Sequence, residues 1–292
     1  MPADPSDDGP ELIDIAVAPG VRLRVLDWGG RGPAVVLLHP NGFCAGLYEP
    51  LAERLRRVAR PIAVDLRGHG ASSAPTSADH YAFERLAADV VAVLDVLGLQ
   101  AVVGVGGSLG GAVAVLVDRL DPGRWSRLLL AEPVAFPISD AWAPGGAENP
   151  MAAGARRRRD RFPDRAALVD AYRDRPPLSQ LAPEALEAYA RWGTVDDGDG
   201  VRLACHPEVE ATVFEVSTGP VGAAAAWDHL PRLAAPTTIV AGADTFLPDV
   251  FAEQATCAGA ELVTVPGGHF VLHEDTARGA ALVERYALGT GR

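Results

Sequence analysis

The sequence predicts an α/β protein with a mostly parallel central β-sheet flanked by helices, and three observations lead to this prediction. Short, continuous apolar runs recur along the chain, as in strands that are buried on both faces of a parallel sheet. Stretches with apolar residues at helical spacing lie between these runs. The alternation is typical of right-handed strand–helix–strand units, which place helices on both faces of the sheet.

The first half of the chain supplies most of the predicted sheet. Residues 11–17 and 21–28 alternate apolar and polar side chains around Pro19-Gly20, which predicts a half-buried antiparallel hairpin. Continuous apolar runs then predict buried strands at 34–39, 60–65, 101–105 and 127–131. Helical spacing predicts helices between them, at 47–57, 81–97 and 109–120.

The strand–helix alternation breaks at Pro137 and resumes near His229. Between these points we predict helical segments, at 152–161, 165–173 and 183–192. Strands follow at 237–241 and 261–265, with a last helix at 276–288. A length of 292 residues fits one large domain or a core with an insertion. We therefore interpret residues 1–136 and 230–292 as the core and residues 137–229 as a helical insertion.

Charge and composition exclude several classes of function. The chain carries 26 basic and 38 acidic residues, a net charge of −12, which disfavours a nucleic-acid partner. All the basic residues are arginines, so the Schiff-base and P-loop chemistries that require lysine are excluded. No His, Cys and Asp cluster has the spacing of metal ligands, and we expect neither a metal nor a cofactor.

The location of the protein is predicted from its cysteines and its apolar runs. The cysteines, Cys44, Cys205 and Cys257, lie far apart, and we expect reduced thiols. Residues 1–10 are acidic and proline-rich, unlike a secretory signal, and no apolar run approaches the roughly 18–20 residues that span a bilayer. We expect a cytoplasmic protein with no membrane partner.

The segment Gly106-Gly107-Ser108-Leu109-Gly110 matches the pattern G-x-S-x-G between a buried strand and an apolar helix. In that context the serine occupies a tight strand-to-helix turn that exposes its hydroxyl at the carboxyl edge of the sheet. The N–H of Leu109, at the start of the helix, would face a developing oxyanion. The pattern predicts Ser108 as a nucleophile.

A serine hydroxyl needs a positioned base. His269 is our candidate, because it follows the last predicted strand on a glycine-rich loop that can reach the carboxyl edge of the sheet. His273 is the competitor, but it lies at the start of the following helix.

Together with the serine turn and the late loop histidine, two further segments resemble the α/β-hydrolase family: His39-Pro40-Asn41-Gly42 and the turn at residues 65–70. The resemblance extends from about Val21 to Leu288, with the insertion where that family carries its cap. It implies an α/β-hydrolase fold with Ser108 as nucleophile and His269 as base. It also implies an oxyanion hole formed by the N–H groups of Leu109 and Asn41, and a structural role for the turn at 65–70.

The sequence departs from the family pattern at two positions. Pro40 replaces the family's glycine after the histidine and has no N–H, so Asn41 or Gly42 has to supply the second oxyanion donor. Gly107 stands where many relatives have a larger residue, which predicts extra space beside the nucleophile.

The acid that orients the histidine has two candidates. Asp244 follows the penultimate strand, where most of the family places its acid, and Pro248 closes its loop. Glu132 ends the strand before the insertion, a position that a minority of relatives use. Either carboxylate could hold the imidazole in the required tautomer. We favour Asp244 and keep Glu132 as the alternative.

These residues predict a serine hydrolase that cleaves an ester, lactone or thioester of a small apolar substrate through an acyl-enzyme. The alternatives are a C–C bond hydrolase and a non-hydrolytic lyase or cyclase on the same fold. Ser108 in place of an aspartate argues against dehalogenase and epoxide-hydrolase chemistry.

The predicted insertion would select the substrate. Its candidate pocket aromatics, any of which could instead serve only helix packing, are Trp142, Tyr172, Tyr189 and Trp192. The arginine run at 156–159 lies near Asp160, Asp164 and Asp170, so we interpret it as a solvated helix face. Binding of an anionic substrate group is the alternative for this run.

Overall fold

An eight-stranded β-sheet lies at the centre of the protein in a computed structural model, which describes residues 9–137 and 149–289. The strands of the chain are β1 (Glu11–Ala18), β2 (Val21–Asp27), β3 (Ala34–Leu38), β4 (Arg60–Val64), β5 (Val102–Gly107), β6 (Trp125–Ala131), β7 (Arg161–Phe162), β8 (Thr194–Asp197), β9 (Gly200–Leu203), β10 (Thr237–Gly242) and β11 (Glu261–Val265).

The order of strands in the central sheet is β1-β2-β4-β3-β5-β6-β10-β11. β1 pairs with β2, and β2 with β4, in antiparallel register, whereas the pairs from β4 to β11 are parallel. The strands β3 and β4 are buried after their first residue and β5 throughout, as expected of strands with both faces covered. The predicted fold class, a mostly parallel sheet flanked by helices, is therefore confirmed.

Helices cover both faces of the sheet. The helices of the described chain are α1 (Glu49–Leu55), α2 (Phe83–Val96), α3 (Leu109–Leu120), α4 (Pro150–Arg156), α5 (Arg165–Tyr172), α6 (Pro183–Trp192), α7 (Pro207–Ser217), α8 (Ala223–Trp227), α9 (Pro248–Ala258) and α10 (Thr276–Leu282), the last continuing as a π-helical turn (Val283–Leu288). The core on one face takes residues from α2, α3, α8 and α9. The core on the other takes residues from α1, α10 and the π-helical turn. Alternate residues of β3 point into these two cores, because successive side chains of a strand face opposite sides.

The inserted region contains strands as well as helices. A three-stranded antiparallel sheet, in the order β7-β9-β8, accompanies the helices α4 to α8. The expectation of a purely helical insertion is wrong in this respect. The strands have only two to four residues each, too few to leave a clear alternation in the sequence. Among the described residues, no helix is both long enough and apolar enough to cross a membrane.

Candidate active site

The turn from β5 into α3 holds Ser108 in a strained backbone conformation at the start of the helix. Ser108 has φ = 51° and ψ = −115°, outside the regions that L-residues prefer. Two glycines make the turn possible. A Cβ on Gly106 would lie 2.5 Å from the carbonyl oxygen of Gly110, and a Cβ on Gly110 would lie 2.0 Å from that of Leu38. The two outer glycines of the G-x-S-x-G pattern are therefore required by close backbone approaches.

The backbone of Ser108 is tied to the end of the neighbouring strand β6. Its N–H donates to the carbonyl of Ala131 (2.9 Å), and its own carbonyl accepts from the N–H of Val134 (3.0 Å). These two bonds flank Glu132, which has a positive φ of 46° and donates its N–H to Val240 of β10 (3.0 Å). Ser108 and Glu132 are thus held side by side at the carboxyl edge of the sheet.

Glu132 contacts His269. The carboxylate is fully buried, and its Oε2 lies 2.7 Å from Nδ1 of His269. It also accepts hydrogen bonds from the N–H of Gly242 (2.8 Å, at Oε1) and from the hydroxyl of Thr245 (3.0 Å, at Oε2). Because a carboxylate accepts hydrogen bonds, the His269 proton lies on Nδ1 and leaves Nε2 free to accept one.

This arrangement corrects our preference for Asp244. The Asp244 side chain is exposed and makes no hydrogen bond with a described residue, while its backbone N–H donates to Gly267 (2.9 Å). Thr245, which follows Asp244 in the loop after β10, is the residue of this loop whose side chain contacts Glu132. The minority arrangement, with Glu132 beside the histidine, is the one present. The contact of Thr245 with Glu132 was not predicted, because a lone threonine in a loop carries no signal in the sequence.

The loop that carries His269 is held by a second carboxylate. The Glu274 side chain accepts from the N–H of Gly268 (2.8 Å) and from that of Phe270 (2.9 Å), so it brackets the histidine. The competitor His273 is buried, and neither of its ring nitrogens has a described hydrogen-bond partner. Burial lowers the pKa of His273 to about 3, so it is neutral near pH 7.

The segment at residues 40–43 provides one free backbone donor near the serine turn. The N–H of Gly42 donates to Nε2 of His69 (3.1 Å) and is therefore occupied. Pro40 has no N–H. The N–H of Asn41, like that of Leu109, bonds to no acceptor among the residues described. Of the two donors that the sequence left open, Asn41 is the one available.

Two buried histidines support this segment from the core side. Nδ1 of His39 faces the carbonyl of Pro40 (2.8 Å), and its Nε2 accepts from the N–H of Leu66 (3.0 Å). Burial lowers the pKa of His39 well below its usual value and that of His69 to about 4. Both rings are neutral near pH 7 and act as fixed hydrogen-bonding groups.

A comparison with known families decides the assignment. Residues 35–284 match the model of the alpha/beta hydrolase family, which covers most of the chain and every element of this site. The chain belongs to the alpha/beta hydrolase family. Membership supports a hydrolase activity, in agreement with the resemblance seen in the sequence.

Individual relatives match different shares of this alpha/beta hydrolase, and the chain spans about a fifth of the length of the epoxide hydrolases that it matches. It is 39% identical to bifunctional epoxide hydrolase 2 of Sus scrofa over 103 residues. This match covers 34% of this chain and 18% of the relative. It is 31% identical over 186 residues to 2-hydroxymuconate semialdehyde hydrolase of Pseudomonas putida, 62% of this chain and 66% of the relative. Among solved structures, E-2-(acetamidomethylene)succinate hydrolase superposes with a TM-score of 0.80 at 20% identity, over 94% of this chain and 98% of that one.

Residues 149–229, which we call the cap, contact the site through an apolar cluster. Phe43 and Phe270, which adjoin the site segments, pack edge to face with ring centroids 5.2 Å apart. Phe43 also contacts Tyr189 of α6, with a centroid separation of 5.1 Å. Phe270 and the largely exposed Phe246 flank the His269 ring, at 5.1 and 5.6 Å. The candidate site therefore has aromatic surroundings.

The predicted pocket aromatics have other contacts. The hydroxyls of Tyr172 and Tyr189 accept hydrogen bonds from Arg158 (3.0 and 2.6 Å). Trp192 donates from its ring N–H to Glu49 of the core (3.1 Å). Trp142 lies outside the described residues.

The arginine run is not a uniformly solvated helix face, and that interpretation is wrong for Arg158. Helix α4 ends at Arg156, and the Arg158 side chain beyond it is only 13% exposed. The acidic partners of Arg156 and Arg158 lie on α7 and are not the acidic residues next to the run in the sequence. Arg156 pairs with Glu208 and Arg158 pairs with Glu210, each at 2.9 Å.

The space beside Gly107 is limited. A Cβ at this position would lie 3.6 Å from both the Pro40 ring and the hydroxyl of Tyr48, which is ordinary contact. The missing side chain therefore leaves room for one methyl group pointing at these two residues. Among residues 9–137 and 149–289, no group of three or more potential ligands is arranged to hold a metal ion.

Proposed function

We propose that the protein is a serine hydrolase that cleaves an ester, lactone or thioester through an acyl-enzyme. The observation that carries this proposal is the 2.7 Å contact between Glu132 and Nδ1 of His269, beside a strained serine turn. A buried carboxylate on Nδ1 fixes the tautomer in which Nε2 accepts a proton. In this function Ser108 is the nucleophile, His269 the general base and Glu132 the acid.

In acylation, Oγ of Ser108 forms a bond to the carbonyl carbon while its proton passes to Nε2 of His269. The carbonyl oxygen becomes an oxyanion, which the N–H groups of Asn41 and Leu109 stabilise. The bond to the leaving group then breaks, and the proton on His269 transfers to the departing oxygen or sulfur. Glu132 stays ionised and stabilises the imidazolium.

In deacylation, water replaces the leaving group. His269 takes a proton from the water as its oxygen bonds to the acyl carbon, and the same N–H groups hold the second oxyanion. Collapse breaks the bond to Ser108, whose oxygen regains the proton from His269. The products are a carboxylic acid and the free enzyme.

The aromatic surroundings of the site favour an apolar acyl or alcohol group. The rings of Phe246 and Phe270 flank His269, and Phe43 adjoins the Asn41 segment. Aromatic side chains offer large apolar contact areas to a ligand. A serine rather than an aspartate at the turn argues against the epoxide hydrolysis named for the porcine relative.

The proposal is tested with a fluorophosphonate probe and a series of p-nitrophenyl esters, lactones and acyl thioesters of increasing chain length. The native enzyme is expected to be labelled once and to hydrolyse at least one series. Ser108→Ala should abolish labelling and lower kcat by several orders of magnitude. Ser126→Ala, at an exposed position on β6, is the matched control and should behave as the native enzyme. Turnover by Ser108→Ala above about a tenth of the native value would remove Ser108 from the mechanism.

C–C bond hydrolysis is the second candidate, because the chain is 31% identical over 186 residues to 2-hydroxymuconate semialdehyde hydrolase. The same nucleophile, base and oxyanion hole could act on the ketone of an activated dicarbonyl compound, with a carbanion as leaving group. Turnover of such compounds at a kcat/KM above that of every ester, lactone and thioester, with loss in Ser108→Ala, would favour this candidate.

A further inference from the structure

We propose that an ion pair in the cap, Arg158–Glu210, positions the segment that carries the second oxyanion donor. The inference rests on the proposed function, since it assigns the N–H of Asn41 to the oxyanion hole. It makes Arg158 and Glu210 positioning residues, which act on the reaction through Asn41 and Gly42. They are not assigned any contact with the substrate.

Asn41 and Gly42 are held from two sides. From the core, Nε2 of His69 accepts from the N–H of Gly42 (3.1 Å). From the cap, the backbone carbonyl of Glu210 accepts from the Asn41 side-chain amide (3.0 Å), and the hydroxyl of Tyr189 lies 3.4 Å from the carbonyl of Gly42. The segment is therefore a joint between the cap and the core.

The Glu210 carboxylate packs directly on Gly42. A Cβ at Gly42 would lie 2.5 Å from Oε1 of Glu210, so only glycine permits this approach. Gly42 also has φ = 77°, a conformation that L-residues with side chains rarely adopt. The position of the carboxylate thus limits where the peptide that follows Asn41 can lie.

Arg158 holds Glu210 and Tyr189 in place. Its guanidinium donates to Oε2 of Glu210 (2.9 Å), to the hydroxyl of Tyr189 (2.6 Å) and to that of Tyr172 (3.0 Å). These three partners lie on α7, α6 and α5, while Arg158 itself follows α4. The side chains of Arg158 and Glu210 are only 13% and 12% exposed. One arginine therefore joins three cap helices to the segment that follows α4.

The position of this pair favours a positioning role over the binding of an anionic substrate group. The charge of Arg158 is balanced by Glu210, and three of its nitrogens already donate to protein oxygens. A buried pair of this kind is sensitive to loss of one partner, because the other charge then remains buried and uncompensated. Small displacements are costly at an oxyanion hole, where a 1 Å error can reduce the rate about 100-fold.

The first test compares two neighbouring glutamates of α7. Glu210→Gln keeps the backbone carbonyl that binds Asn41 but removes the charge that holds Arg158. We expect kcat to fall about 10- to 100-fold with KM changed less than about threefold, because the lost contact acts on the transition state. Glu208→Gln is the matched control. It removes the more exposed partner of Arg156, two residues earlier, and should leave both constants within about twofold.

A double variant shows whether the loss of kcat in Glu210→Gln comes from lost positioning or from the uncompensated charge of Arg158. Arg158→Met combined with Glu210→Gln removes both charges of the pair, so neither partner remains as an uncompensated buried charge in the folded state. If the pair positions Asn41, kcat of the double variant stays at least 10-fold below the native value. Recovery to within about twofold would show that the loss in Glu210→Gln came from the uncompensated charge, and would overturn the proposal.

The second readout is the affinity of the enzyme for an inhibitor that forms a tetrahedral adduct with Ser108. An aryl trifluoromethyl ketone forms an oxyanion with Ser108, whereas the corresponding trifluoromethyl carbinol does not. Glu210→Gln should weaken ketone binding by about the factor lost in kcat/KM and leave carbinol binding within about twofold. Equal weakening for both compounds would mean a general change of the site and would contradict a positioning role.

The two proposals fail in different ways. If the native enzyme shows no labelling of Ser108 and no turnover of any ester, lactone or thioester, the proposed function itself fails. If the native enzyme is labelled and active, and Glu210→Gln retains native kcat and ketone affinity, only the positioning role fails.

Discussion

Glu132 and His269 are joined by a 2.7 Å hydrogen bond, although 137 positions separate them in the sequence. Glu132 lies at the end of β6, next to the strand β5 that leads into Ser108. The backbone hydrogen bonds that join Ser108 to Ala131 and Val134 therefore also fix the backbone of Glu132, which lies between these two residues. The orientation of the histidine is therefore tied to the geometry of the serine turn, and Thr245 of the loop after β10 supplies a further hydrogen bond to the carboxylate.

The first prediction assigns the acid. Glu132→Gln should lower kcat by about 10³–10⁴-fold, because an amide at this position no longer favours the Nδ1-protonated tautomer of His269. Asp244→Asn, at an exposed carboxylate, should change kcat less than about threefold. Steady-state kinetics of the two matched amide variants measure this difference. The opposite ranking would return the role to Asp244.

The second prediction concerns Thr245. Thr245→Val keeps the shape of the side chain but removes the hydroxyl that donates to Oε2 of Glu132 (3.0 Å). We expect a roughly tenfold lower kcat, since one of the hydrogen bonds that orient the carboxylate is lost. Thr256→Val is the control, because that hydroxyl bonds only to a backbone carbonyl on the exposed side of α9. Equal kinetics for the two variants would contradict a role for Thr245.

The sequence predicted the core of the fold well, because inner strands such as β3, β4 and β5 are short, continuous apolar runs that are buried on both faces. The predicted helix at 109–120 and the predicted strand at 261–265 have the observed bounds. The helices α7 and α9 were not predicted, and neither was the β8–β9 hairpin. The hairpin has four residues in each strand and is partly exposed, so its pattern is weak.

Local patterns predicted the serine turn but not the partner of the histidine. The G-x-S-x-G segment contains its own geometric requirements, which the close contacts of Gly106 and Gly110 explain. The choice between Asp244 and Glu132 depends on which side chain turns inward at the ends of β10 and β6. That choice is made by long-range contacts, such as the bond from the N–H of Gly242 to Glu132, which no local pattern encodes.

The third prediction tests the two glycines before the serine. In Gly106→Ala, the new methyl group would meet the carbonyl oxygen of Gly110 at 2.5 Å, so we expect a loss of about 1–3 kcal/mol in the free energy of unfolding. In Gly107→Ala, the nearest atoms are 3.6 Å away, and we expect a change within about 0.5 kcal/mol. Urea unfolding measures both.

The substrate preference of Gly107→Ala tests whether the missing side chain at this position enlarges the space for the acyl group. The methyl group of Gly107→Ala would point at Pro40 and Tyr48, so the preference for acyl chain length should stay the same. A shift of that preference toward shorter chains would mean that the space beside Gly107 is part of the substrate site.

Three buried histidines make the stability of the protein depend on pH. Burial lowers the pKa of His39 well below its usual value, that of His69 to about 4 and that of His273 to about 3. In the unfolded chain such groups take up protons near pH 6.5. Below that pH the unfolded state therefore binds more protons than the folded state, and stability falls as the pH falls. Burial raises the pKa of Asp65 to about 6, which acts in the opposite direction between about pH 6 and 4.

The fourth prediction concerns His273 alone. Its ring nitrogens have no described hydrogen-bond partner, and the centroids of its ring and of the Tyr48 ring are 4.7 Å apart. His273→Leu removes one group that is neutral in the folded state and protonated in the unfolded state between about pH 6 and 4. The slope of the unfolding free energy against pH should therefore become shallower by about 1.4 kcal/mol per pH unit. Urea titrations at several pH values measure the slope. Val271→Ala, a nearby buried change without a titrating group, should lower stability by a similar amount at every pH and leave the slope unchanged. A slope in His273→Leu equal to that of the native protein would mean that His273 becomes protonated in the folded state at the same pH as in the unfolded chain.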